Sequence, residues 1–143
     1  MKVSGAIRLK LKENWLPVLS LVVALTALFY NTWRNEQTEL NRNYRASGFE
    51  IVRESAKLQL LVDQMFYAPE SNDNAIEGWT RINFIVSLSA IMPLPVKQRA
   101  DDLKQVWSKQ WQVLNKQESA NQLITEANRA LEQEVLLALQ TLD

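Results

Sequence analysis

The longest apolar segment of the chain lies near its start and reads WLPVLSLVVALTALFYNTWR at residues 15–34. From Asn14 to Trp33 there are 20 consecutive residues without a formal charge. A helix of that length measures about 30 Å, which is the thickness of the hydrocarbon core of a bilayer. Aromatic rings stand at both ends, where they favour the headgroup region, and a proline falls in the first turn. The pattern predicts a transmembrane helix over 14–34, with anchoring residues Trp15, Pro17, Tyr30, Trp33 and Arg34.

A buried core helix and a cleavable signal peptide both fit this segment less well. The core helix of a soluble protein usually has a polar stripe, and Ser20 and Thr26 are too few and too weakly polar to form one. A cleavable signal peptide needs small residues after its apolar run, whereas LFYNTW at 28–33 is bulky. We therefore expect an uncleaved signal anchor.

The basic residues around the span predict its orientation. Residues 1–13 carry four basic side chains and one acidic side chain, and four arginines lie within residues 34–53, at the other end of the span. Because the N-terminal tail is denser in positive charge, the positive-inside rule favours a cytoplasmic N-terminus. We expect a single-pass protein of a bacterial inner membrane, with a short basic cytoplasmic tail over 1–13 and a periplasmic domain over 35–143.

Beyond Arg34, apolar and polar residues alternate with helical periodicity. Steps of three and four residues separate a series of apolar or small side chains, the spacing of a helical bundle or coiled coil. The series comprises Leu40, Tyr44, Ser47, Ile51, Ser55, Leu58, Val62 and Met65. One glycine and no proline occur in this stretch before Pro69. We predict that the membrane helix continues without a break to about Tyr67.

Three shorter helices are predicted after this one. APESNDN at 68–74 reads as a loop that ends in a capping box, with Asn74 as N-cap and Glu77 three residues later. PLP at 93–95 stops one helix and starts the next, and the polar stretch NKQESANQ at 115–122 marks another boundary. The predicted bundle helices are 35–67, 75–92, 95–114 and 117–141, with one helix over 95–143 as the alternative.

The predicted fold class is all-α. A single N-terminal transmembrane helix continues into an up-down antiparallel bundle of four helices, or of three if 95–143 is one helix. The chain uses only three glycines and four prolines in 143 residues, which indicates few turns and long elements. The part beyond the span is long enough for one modest core.

Two residue types are missing from the composition. The chain has no cysteine and no histidine, which removes the thiolate nucleophile, the usual zinc ligand and the commonest general base. Glu50 and Glu54 share a helix face, but the di-iron bundle motif also needs a histidine, so we interpret both as solvated surface acids. We expect a protein that is not an enzyme and holds no cofactor and no metal.

The charge distribution excludes one class of partner. Residues 34–143 carry 12 basic and 15 acidic side chains, interspersed along the sequence. A mildly acidic surface with interspersed charges has no basic patch to which nucleic acid would bind. The expected partners are the lipid bilayer and either another protein or further copies of this chain, bound through the bundle.

One cation and three large aromatics are the candidate contact residues for a ligand or partner: Arg81, Trp79, Trp107 and Trp111. Tryptophans in a small bundle can line a groove, but more often they fill the core with their indole N–H at the surface or bonded, which is the favoured interpretation. Arg81 could hold an anionic ligand or a partner's carboxylate. An internal ion pair is favoured instead, and its candidate partners are Glu50, Glu54 and Glu77.

Three functions are compatible with these features. The first is a non-enzymatic interaction module or accessory subunit that docks another envelope protein. The second is a sensor, because a membrane helix that runs into a four-helix bundle resembles in architecture the ligand-binding half of bacterial chemoreceptors. Those receptors return through a second span, so we expect a sensor of the present form to signal through a partner. The third is a phage-type inner-membrane lysis protein, although such proteins tend to be extended coiled coils.

Overall fold

A computed structural model describes residues 15–68 and 74–142. Four α-helices cover most of them: α1 (Trp15–Tyr67), α2 (Asn74–Ser89), α3 (Leu94–Gln110) and α4 (Glu118–Gln140), with a short 3-10 helix at Trp111–Val113. No strand occurs in this part of the chain, so the all-α class is confirmed. The predicted basic tail over 1–13 and residues 69–73 of the predicted loop lie outside the described residues, as does the side chain of the predicted cap Asn74.

The chain divides into two compact units, Met1–Leu40 and Asn41–Asp143. The described part of the first unit is helical throughout, because α1 runs unbroken from Trp15 to Tyr67 as predicted. Its apolar window is long enough to cross a membrane, and none of that window is buried. Hydroxyls inside it are satisfied locally: Thr26 Oγ1 donates to the carbonyl of Val22 at 2.8 Å. In an apolar medium the hydroxyl of Thr26 therefore needs no hydrogen-bond partner from outside the helix.

The second unit is an up-down bundle with one continuous core. Each of its helices contributes fully buried apolar side chains, which remove apolar surface from water and drive the packing. Representative core residues are Ile51, Leu58, Val62, Ile82, Ile85, Val96, Leu103, Ile124, Leu131 and Val135. The predicted stripe of α1 agrees with this core, except that Leu40 at its start is exposed.

Contacts between α1 and α4 show that these two helices are antiparallel. Arg45 Nη2 donates to the carbonyl of Leu142 at 2.7 Å, near the start of the bundle. Gln59 Nε2 donates to Thr125 Oγ1 at 2.9 Å, further along α1 and earlier in α4. The first and last helices therefore close the bundle as neighbours, as an up-down arrangement of four requires.

The helix ends follow the predicted breakers with small shifts. Helix α2 ends at Ser89, three residues before its predicted end, and Pro93 precedes α3 with Pro95 in the first turn. After the 3-10 turn, Gln117 is extended at φ −126° and ψ 117°. This break makes the alternative of one helix over 95–143 wrong. Over residues 41–68 and 74–142 the bundle therefore has four α-helices.

Candidate membrane anchor and interaction surface

The predicted anchoring residues lie on an exposed helix surface. Trp15, Tyr30 and Trp33 are all solvent-exposed, and the rings of Tyr30 and Trp33 lie 6.2 Å apart. Pro17 is the third residue of α1, where its missing N–H removes no intrahelical bond. A groove of about 400 Å³ runs along this surface between Val22 and Tyr30, with Ala27 in its lining. The first unit thus offers an apolar exterior to lipid or to a neighbouring helix.

The candidate cation of the bundle, Arg81, is neutralised within the fold. Its Nη1 donates to Glu54 Oε2 at 2.7 Å, and its other guanidinium nitrogens bond to Glu77. The side chains of Arg81 and Glu54 are 22% and 8% exposed. The predicted internal ion pair of Arg81 is confirmed for Glu54 and Glu77, whereas Glu50 bonds to Arg53 instead.

The prediction that Glu54 is a solvated surface acid is wrong. The sequence predicts a solvated surface acid at this position, but Glu54 is buried between α1 and α2 and bonds to two cations, Arg81 and Lys57. Burial alone would raise the pKa of Glu54, yet the hydrogen bonds and positive charges of Lys57 and Arg81 outweigh it and lower the pKa below its ordinary value. The carboxylate therefore stays ionised at neutral pH and is a structural ion-pair partner.

The three candidate tryptophans take core positions. Trp107 is completely buried, Trp79 packs against it edge-to-face with 6.4 Å between ring centroids, and Trp111 packs at the margin of the same core. Trp107 lies so close to Gly78 that a Cβ there would overlap its ring. The indole nitrogen of Trp107 has no hydrogen-bond partner, so the expectation that each indole N–H is exposed or bonded is wrong for this residue. These rings serve packing, and a ligand cannot reach Trp107 in this conformation.

A polar seam joins α1 to α4 inside the bundle. Asn128 Nδ2 donates to the backbone carbonyl of Ser55 at 2.9 Å, although both side chains are buried. Several buried atoms in and next to this seam have no partner in the structure: Ser55 Oγ, Gln59 Oε1, Asn121 Nδ2 and Asn128 Oδ1. Buried polar groups favour the one register in which they bond, because any slip of α1 along α4 would break the Asn128 contact. The seam therefore specifies how these helices pair, at a cost in stability.

Replacing Ser55 by alanine is expected to stabilise the bundle by about 1 kcal/mol, because it removes a buried hydroxyl that has no partner and adds a better helix former. Ser89→Ala is the matched control. The hydroxyl of Ser89 is also buried but donates to the carbonyl of Val86 at 2.7 Å, so its loss is expected to destabilise. Guanidinium unfolding of the full chain in detergent micelles, followed by circular dichroism, measures both. A loss of stability in Ser55→Ala would contradict the conclusion that the buried hydroxyl of Ser55 has no partner.

The side of α1 that faces away from the core carries a second apolar row, which we call the outer stripe. It consists of Phe49, Ala56, Leu60 and Tyr67, and the three large members are 64%, 59% and 75% exposed. The steps between them are 7, 4 and 7 residues, so at 3.6 residues per turn they lie on one line. Sequence reasoning missed this row because it assigned one apolar stripe to α1. The same heptad count, applied to the remaining apolar residues, would have found it.

No group of three or more metal-ligating side chains occurs among the residues that the structure describes. The chain matches no protein-family model, no curated protein and no solved structure. The main features of the described residues are the exposed apolar span, the internally paired charges of the bundle and the outer stripe.

Proposed function

We propose that the protein is a non-enzymatic, single-pass membrane protein whose helical bundle is an interaction module of an envelope complex. The observation that carries this proposal is the outer stripe. Large apolar side chains in a row on an otherwise polar helix face indicate a surface that binds another protein. The stripe lies on the same helix as the apolar span, so its partner is expected at the membrane.

The internal pairing of charge supports a binding role over a catalytic one. Catalytic sites depend on carboxylates, bases or cations that are held ready for a substrate. In this bundle the buried carboxylate of Glu54 already has two cationic partners, and Arg81 has two carboxylates. Neither side chain offers a free charge to a substrate, and the chain has no histidine or cysteine to supply another common catalytic group.

The proposed location is a bacterial inner membrane, with the N-terminus in the cytoplasm and the bundle in the periplasm. Support comes from the exposed apolar window of α1 and from the denser basic charge before it. The absence of cysteine fits either side of the membrane equally.

The sensor and lysis alternatives receive less support. The residues that were candidates for a sensory ligand site are occupied in packing or ion pairing, as Trp107 and Arg81 show. A cavity of about 220 Å³ does lie between the start of α3 and the end of α4, but its lining is mostly aliphatic and proline, with Glu134 as the charged member. A lysis protein would favour an extended coiled coil, whereas this bundle folds back on itself three times.

Two measurements on the full chain test the proposed function. A reporter that is active only outside the cytoplasm, fused after Asp143, is expected to be active, and the protein is expected to remain in membranes after alkaline extraction. A photoreactive amino acid at Leu60 is then expected to form a defined protein adduct in native membranes. The same group at Gln133, an exposed polar position on α4, serves as the control.

Each outcome of these measurements bears on the proposal. Extraction into the soluble fraction would overturn the anchoring, and an inactive reporter would overturn the orientation. An absence of adducts at Leu60, or adducts equal to those at Gln133, would overturn the interaction role. Mass spectrometry identifies whether an adduct contains another protein or a second copy of this chain.

A further inference from the structure

We propose that the outer stripe is the contact surface between two copies of this chain, packed in parallel through α1. This inference rests on the proposed function and names the partner of the same surface.

Anchoring fixes the relative direction of any two copies. Helix α1 contains the apolar window and continues without a break to Tyr67, so it leaves the membrane in the same sense in every copy. Two copies in one membrane therefore present their outer stripes in parallel. In a two-fold parallel pair each residue lies opposite its own equivalent, so a row of apolar residues is complementary to itself.

The spacing of the stripe matches this packing. Phe49, Ala56, Leu60 and Tyr67 recur at 7, 4 and 7 residues, which fits a seam of alternating three- and four-residue steps. Ala56 at its middle lets the two backbones approach between the larger side chains of Phe49 and Leu60. A partner helix in the same register would bury all four positions along about 27 Å of α1.

The exposed area favours a partner that is held in the same membrane. From the exposed fractions of its large side chains, the stripe offers on the order of 400 Å² per copy, whereas a stable interface between free proteins buries about 800 Å² per partner. A surface of this size is too small to hold a soluble dimer together. It suffices when both copies are confined to one bilayer, because confinement raises their effective concentration.

Two charged residues also fall in the register of the stripe, and a parallel pair places each of them opposite its own equivalent. Arg53 and Asp63 complete the series of three- and four-residue steps, and each is partnered within its own helix. Arg53 bonds to Glu50 at 2.6 Å, and Asp63 accepts a hydrogen bond from Gln59 at 3.0 Å. Glu50 offsets the charge of Arg53, whereas the carboxylate of Asp63 would face a second carboxylate. The four apolar positions must therefore supply the contact.

The test uses the natural absence of cysteine from the chain. Leu60→Cys in the full chain is oxidised in isolated membranes and in lipid vesicles of increasing lipid-to-protein ratio. It is expected to give a disulfide-linked dimer at least about 10-fold more efficiently than Leu123→Cys, an exposed leucine on α4. The Leu60→Cys dimer is expected to persist at the lipid dilution at which the Leu123→Cys product, formed by random collision, has disappeared.

Register is tested with a mixed pair. Co-expressed Phe49→Cys and Tyr67→Cys chains are expected to form mainly like-with-like dimers, because the two positions lie about 27 Å apart along a parallel pair. Leu60→Glu is expected to reduce crosslinking through Ala56→Cys at least about 10-fold without a change in thermal unfolding, and Leu123→Glu is expected to leave it unchanged.

Several outcomes would overturn the inference. They are equal crosslinking at Leu60 and Leu123, mixed dimers between positions 49 and 67, and loss of the Leu60→Cys dimer at the same lipid dilution as the Leu123→Cys product. Recovery of a different protein at Leu60 would also overturn it while leaving the proposed interaction role intact. A protein that is not retained in membranes would overturn both proposals, so the two failures are distinguishable.

Discussion

Gly78→Ala is expected to destabilise the bundle by about 3 kcal/mol, near the upper end of the usual cost of adding a methyl group to a packed core. A Cβ at this position would overlap Cζ2 and Cη2 of Trp107. The indole ring cannot give way, because Trp107 is fully buried and rests edge-to-face against Trp79. The new methyl group must therefore push α2 and α3 apart along the contact, which loosens the packing of both helices.

Guanidinium unfolding of the full chain in detergent micelles measures this effect, with Gly48→Ala as the matched control. A Cβ at Gly48 would lie 2.8 Å from Cδ2 of Leu139, but that atom is the end of a flexible side chain. The control is therefore expected to cost less than about 1 kcal/mol, since leucine can change rotamer. Combining Gly78→Ala with Trp107→Leu should cost less than the sum of the single changes, because the smaller side chain relieves the overlap. Strict additivity would contradict the proposed clash.

Glu54→Gln is expected to destabilise the bundle by about 2 kcal/mol at neutral pH. The substitution keeps the shape of the side chain but removes the negative charge that Arg81 and Lys57 share. Arg81 retains its contact with Glu77 and is partly exposed. The loss of stability is therefore smaller than in a fully buried ion pair from which one charge is removed. Glu50→Gln is the control. Glu50 pairs with the exposed Arg53, and an exposed pair contributes less than about 1 kcal/mol.

The same carboxylate predicts a dependence of stability on pH. The pKa of Glu54 is lower in the folded protein than its ordinary value of 4.5, so its contribution is complete above pH 4.5. That contribution is lost as the pH falls through the lowered pKa of the folded state. The stability difference between the native chain and Glu54→Gln should therefore be constant from about pH 6 to 8 and shrink in acid. A difference that stays constant to about pH 3 would contradict the assignment.

The outer stripe shows why sequence periodicity alone cannot tell a buried apolar helix face from an exposed one. Apolar residues at three- and four-residue steps predict that a helix face is covered, but they do not say by what. On α1 two such rows exist, one through Ile51 and Leu58 and the other through Phe49 and Leu60. The first row is buried in the core of the bundle, and the second is exposed. Only the packing of the other helices distinguishes the core row from the exposed one.

Glu54 illustrates the same limit for charge. In the sequence it has Arg53 and Lys57 close by and reads as one of many surface acids. Its burial depends on Arg81, which is 27 residues away and reaches it across the α1–α2 interface. Burial of a carboxylate is favourable only when such a partner compensates for lost hydration. No local pattern specifies that partner.

Several properties of this protein follow from its sequence alone, because they depend on local chemistry. The length of the apolar run, the proline pair at 93–95 and the three- and four-residue steps determine an all-α chain, a helix able to span a membrane and the approximate helix ends. Tertiary structure decided which of the three candidate carboxylates pair with Arg81, that Gly78 and Trp107 must fit each other, and which apolar row of α1 stays open for a partner. These depend on contacts between residues far apart in the chain, where shape and desolvation select one arrangement among several that the local pattern permits.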